Sequence, residues 1–128
     1  IEYLTVEGST APFSEAVRVG NMLYLSGQLG FDRATRKLAP GGVEAETRQA
    51  MENIRQTLER HGSSLDRVVK VTVMMADMQE WPKMNEVYKT FFPDHYPARS
   101  AFGATALAGG ARLEIECIAV IEGNLIGD

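Results

Sequence analysis

The chain has 128 residues, with 13 Lys and Arg against 17 Asp and Glu, giving a formal net charge of −4. At 45% hydrophobic and 23% charged it has the make-up of one ordinary globular domain, spanning residues 1–128, large enough to form a core without a disulfide or metal staple. The disordered, collagen-like and disulfide-scaffold classes are excluded, and an acidic balance without a Lys/Arg cluster argues against general nucleic-acid binding. Cys117 has no second cysteine to bridge, no apolar run approaches the roughly 18 to 20 residues that span a bilayer, and no secretory start is visible; the expected location is the cytoplasm.

Residues 21–28 alternate, with Leu23, Leu25 and Gly27 against Met22, Tyr24 and Ser26, which predicts a strand. Val17 to Val19, ahead of Gly20-Asn21, pairs with it as a hairpin. Residues 31–42 are rich in polar and turn-forming types and read as a loop. From Val43 to His61, Val43, Ala50, Ile54 and Leu58 form the stripe of an amphipathic helix, with Glu44 and Glu46 in its first turn, Arg60 and His61 in its last, and Gly62 as the stop. The β-branched run at 66–77 predicts a strand with Val69, Val71, Val73 and Met75 on one apolar face and Lys70, Thr72 and Met74 on the other. A second helix is expected from about Gln79 to Phe92, with Pro82 in its first turn and Pro93 at its end. Strands at 98–107 and 112–121 follow, the last with Leu113, Ile115, Cys117, Ala119 and Ile121 on a clean face.

Two helices suffice to cover the clean faces of such a sheet. The opposite face mixes Met22, Tyr24, Met74, Ile118 and Val120 with Lys70, Glu114 and Glu116. That is too apolar for bare solvent and too charged for a monomer's core, so it is expected to bury against other copies of the chain.

Most polar residues carry ordinary readings. His61 closes a helix and His95 follows Pro93 in a turn, so neither suggests a metal ligand, and Cys117 alternates with core residues as a buried thiol. Walker, dinucleotide and nucleophile-elbow patterns do not occur. The segment Tyr96-Pro97-Ala98-Arg99-Ser100-Ala101-Phe102 is different. An arginine opens a strand of small residues, on the face of Ala101 and Gly103, where room remains for a carboxylate in the guanidinium fork. The competing reading is a surface ion pair, with Glu114 on the expected neighbouring strand as partner or as catalytic carboxylate.

Tyr24-Leu25-Ser26-Gly27-Gln28-Leu29, Val69-Lys70-Val71-Thr72-Val73, residues 85–92, Pro97-Ala98-Arg99-Ser100 and residues 113–120 together resemble the RidA/YjgF family of enamine/imine deaminases, in order from about Ala11 to Glu122. The resemblance implies an α+β, chorismate-mutase-like fold: a mixed sheet with two helices on one face, closed into a homotrimer around a central β-barrel with active sites between subunits. It implies hydrolysis of short 2-imino acids and their enamines, such as 2-aminoacrylate, 2-iminopropanoate and 2-iminobutanoate, to 2-oxo acids and ammonia, with neither metal nor organic cofactor. By position, Arg99 matches the carboxylate-binding arginine and Glu114 the water-positioning glutamate, with Glu116 as fallback. Ser26, Gly27, Asn85 and Trp81 match residues that border the substrate. Phe13 stands where many members have tyrosine and Ala101 where several have cysteine, so substrate range or rate is expected to differ. The alternatives are a trimeric 2-oxo-acid sensor, a deaminase of a larger enamine such as 2-aminomuconate, and a ribonuclease.

Overall fold

A computed structural model describes residues 1–121; Glu122, the far end of the resemblance, lies outside them. The first strand, β1 (Glu2–Leu4), leads to the hairpin of β2 (Ala16–Val19) and β3 (Met22–Leu25), and then to the short β4 (Gln28–Leu29). The expected strand at 21–28 is thus broken at Ser26-Gly27. Within the expected loop, β5 (Phe31–Asp32) pairs with β6 (Lys37–Leu38). Helix α1 (Val43–Arg60) precedes β7 (Val68–Met75), and α2 (Trp81–Tyr88) precedes β8 (Ala98–Gly103) and β9 (Leu113–Val120). The second helix is shorter than expected because both of its ends tighten into 3-10 turns, Met78–Glu80 and Lys89–Phe91.

The main sheet runs β1-β2-β3-β9-β7-β8, with β4 also on β9. Strands β7 and β8 are parallel, while β9 is antiparallel to β3, β4 and β7, so the sheet is mixed. Leu23, Leu25, Val71, Val73, Met75, Leu113, Ile115, Cys117 and Ala119 form one buried side, packed with Ala50, Met51, Ile54 and Leu58 of α1 and Met84 and Tyr88 of α2. Burying a large aliphatic side chain contributes about 1.5 to 3 kcal/mol, so this layer dominates the fold's stability. One expected member is missing. Val69 is exposed, because the ladder with β9 shifts register between Val68 and Lys70 and turns the intervening side chain outward.

Among the described residues nothing covers the opposite side of the sheet. Tyr24 and Phe102 are 43% and 49% exposed there, and Lys70 donates to Ser100 Oγ at 3.0 Å. Among the described residues no helix is long and apolar enough to cross a membrane.

Candidate active site

Arg99 is set by register. It pairs with Val71, which pairs with Cys117; since partners across a ladder share a side, its stem points to the helix-covered face. β8 is an edge strand, so the guanidinium emerges at the rim of that layer beneath α2. There Nη1 donates to Asn85 Oδ1 at 2.7 Å, and the guanidinium carbon lies 5.3 Å from the Trp81 ring centroid and 4.8 Å from that of Tyr88. Two aromatic faces and one amide hold the cation's orientation without neutralising it. Arg99 and Asn85 line a cavity of about 290 Å³ with Tyr88, Lys89, Tyr96 and Pro97. The Tyr88 hydroxyl is buried without a hydrogen-bond partner among the described residues; burial pushes its pKa up to about 12, against the opposing pull of Arg99. Ala101 lies two residues along the same face, partly buried against the core.

Glu114 belongs to the other side. It pairs with Met74, which pairs with Phe102, on the face that carries Thr72 and Glu116. The expectation that Glu114 sits on the strand beside Arg99 is therefore wrong, because β7 intervenes; the two side chains also leave opposite faces. A surface ion pair between them is ruled out for the same reason.

What Glu114 meets within the chain is the Ser26-Gly27 break. A Cβ placed on Gly27 would fall 2.0 Å from Glu114 Oε2, so the carboxylate occupies the space that glycine leaves. Ser26 is fixed by its amide donating to Glu15 O at 3.1 Å and its hydroxyl to Ser14 O at 2.6 Å. Ser26 and Gly27 line a second cavity, of about 270 Å³, with Phe13, Leu29, Phe31 and Arg33. Phe13 is 63% exposed, an apolar ring presented to solvent at that cavity.

The residues singled out from the sequence thus fall into two groups. Arg99, Asn85, Trp81 and Ala101 gather at the β8 edge on the helix side; Glu114, Gly27, Ser26 and Phe13 gather around β4 and β9. Cys117 joins neither, and burial, with a smaller push from Glu116, raises its pKa to about 12. Sequence reasoning missed the stacking of Tyr88 on Arg99 and the anchoring of Ser26 by Glu15. Helical spacing from Trp81 and Asn85 was the signal for Tyr88; nothing local signals Glu15.

A family model described as Endoribonuclease L-PSP matches residues 6–121. The chain is 46% identical over 109 residues to a mouse 2-iminobutanoate/2-iminopropanoate deaminase, covering 85% of this chain and 81% of the relative. It belongs to the RidA/YjgF family. Among solved structures, E. coli YjgF superposes with a TM-score of 0.87 at 30% identity, covering 95% of this chain and all of that one (100%). E. coli TdcF, solved with bound serine, gives 0.84 at 33% identity over 95% of this chain and 98% of its own. The mixed sheet and two helices of this RidA-family chain are therefore those of its relatives.

Proposed function

We propose that this protein hydrolyses short 2-imino acids and their enamine tautomers to 2-oxo acids and ammonia, with Arg99 gripping the carboxylate and Glu114 directing the water. The observation that carries this reading is an arginine whose partners at a cavity, among the described residues, are the neutral Asn85, Trp81 and Tyr88, which leaves its charge for a guest anion. The mouse deaminase's likeness over most of both chains supports the reaction, and the serine-bound relative supports a small amino-acid-like ligand.

A protonated imine is already electrophilic, so the chemistry needs placement and a proton carrier. With the carboxylate fixed by two parallel hydrogen bonds from Arg99, the imine carbon is held before the water and orientation supplies much of the rate. Glu114 accepts a proton as the water's oxygen bonds to that carbon, giving a tetrahedral aminol, and returns it to the nitrogen. As the carbon–nitrogen bond breaks and ammonia leaves, the aminol hydroxyl gives its proton back to the Glu114 carboxylate, which passes it to ammonia or solvent, and the 2-oxo acid remains. Ser26 and Gly27 border this water, and Phe13 presents an apolar wall to the substrate's side chain.

Because Arg99 and Glu114 leave opposite faces of one sheet, a site using both needs two copies of the chain. The half-site at β8 of one copy meets the half-site at β4 and β9 of the next, in a homotrimer whose uncovered faces, with Tyr24 and Phe102, close into a central barrel in the chorismate-mutase-like manner. Such head-to-tail contacts close into rings. A sensor of 2-oxo acids would need Arg99 without Glu114, whose carboxylate fills the space that Gly27 leaves. A ribonuclease is less well served by a chain of net charge −4.

The test is to generate 2-iminobutanoate in situ from threonine with a dehydratase and follow release of ammonia and 2-oxobutanoate. Wild type accelerates release, while Arg99→Ala and Glu114→Ala do not. A wild type without effect refutes the deaminase, and tight binding of 2-oxobutanoate without turnover favours the sensor.

A further inference from the structure

Glu15 is an acid that the proposed chemistry does not use, and it is only 8% exposed. One carboxylate oxygen accepts a hydrogen bond from Arg60 Nη2 and lies 3.7 Å from Arg33 Nη2; the other is 2.8 Å from His61 Nε2. Arg60 also donates to Thr57 Oγ1 at 3.1 Å, which fixes the guanidinium on the last turn of α1. Burial alone would push the Glu15 pKa up, yet the His61 hydrogen bond and the Arg60 charge outweigh it, and the carboxyl sits below its ordinary value. Glu7 is the other acid in this neighbourhood, lining an adjoining cavity with Glu15, Arg33, Arg60 and His61.

The main chain of the same residue leads into the candidate site. Glu15 O accepts the Ser26 amide, Ser14 O accepts the Ser26 hydroxyl, and the next residue, Gly27, lies against the Glu114 carboxylate. An unbroken set of contacts therefore runs from the end of α1 through Glu15 and Ser26 to Gly27 and Glu114. We propose that Glu15 is a positioning residue for the deaminase reaction: by anchoring residues 14–15 to Arg60 and His61 it fixes the Ser26-Gly27 bend, and with it the place of Glu114. This deepens the deaminase reading and rests on it. A buried ion cluster serving stability alone would hold the fold and leave turnover per folded molecule unchanged.

The two roles separate in three variants, assayed for kcat, KM and exchange of the Ser26 amide with deuterium. Glu15→Ala removes the anchor, and kcat is expected to fall about tenfold or more through misplacement of Glu114, while KM, set by Arg99 in the other half-site, changes less than about threefold. The Ser26 amide then exchanges faster. Glu15→Gln keeps an acceptor for Arg60 and offers its amide to a neutral His61, so it restores both kcat and protection. Arg60→Ala, which leaves His61 in place, gives an intermediate effect and serves if Glu15→Ala does not fold. Unchanged kcat and unchanged Ser26 exchange in folded Glu15→Ala overturn the inference, as does a loss that follows only the folded fraction. If wild type shows no deaminase activity, the functional reading fails, and the exchange measurement still decides whether Glu15 holds the bend.

Discussion

Gly27→Ala separates the chemistry from the fold more cleanly than any other single change. The added Cβ would sit 2.0 Å from Glu114 Oε2, 2.8 Å from its Cδ and 3.0 Å from its Cγ, whereas ordinary contact begins at 3.4 Å. The carboxylate must retreat by roughly 1.4 Å, and because it is the end of a flexible side chain it can do so without moving backbone. A misplacement of about 1 Å at a reacting group costs on the order of a hundredfold in rate, or about 2.7 kcal/mol of barrier. The expected outcome is a fall of about a hundredfold in kcat/KM for 2-iminobutanoate, with thermal unfolding displaced by no more than about 1 kcal/mol. Gly30→Ala is the control: its Cβ would meet the Glu46 backbone at 2.5 Å, so it disturbs α1 and lowers the melting temperature strongly. Wild-type kcat/KM in Gly27→Ala would refute the placement of Glu114 beside the water.

Other consequences follow from the same geometry. Asn85→Ala removes the 2.7 Å hydrogen bond that orients Arg99, and KM is expected to rise about tenfold in the steady-state assay, with a smaller change in kcat. Cys117, buried and with its pKa raised to about 12, should resist iodoacetamide near neutral pH in the native protein and react at the rate of unfolding in mild urea, as mass spectrometry would read. Because the Glu15 carboxyl lies below its ordinary 4.5 in the folded chain, its contribution is present above the unfolded-state value and is lost as pH falls through the folded one. Melting temperatures taken across the acid range should therefore fall less steeply for Glu15→Gln than for wild type.

Much of the fold was legible because hydrophobic period survives in isolation. The stripe of Ala50, Ile54 and Leu58 and the alternation of Leu113 through Ala119 are decided by burial, and burial is what the two elements obtain. What failed to show is long-range or local in a way that period cannot express. The bulge at Val69 leaves composition untouched while turning one side chain over. β1 is three residues long and largely exposed, so it has no apolar face to betray it. At the candidate site the arrangement was not readable: strand order places β7 between Arg99 and Glu114, and a sequence does not print strand order. The Glu15 cluster joins residues 45 and 46 positions apart, and a lone acid at a strand entrance and a basic pair at a helix end are each commonplace.

The sharpest measurement is complementation between two inactive variants. Arg99→Ala and Glu114→Ala chains carrying different tags are co-expressed, mixed assemblies are purified on both tags, and ammonia release from 2-iminobutanoate is measured. If each site draws Arg99 from one copy and Glu114 from its neighbour, every trimer that carries both tags has one of its three sites with both groups intact, and turnover returns to about a third of wild type. Mixed assemblies as inactive as either parent would contradict a site shared between copies.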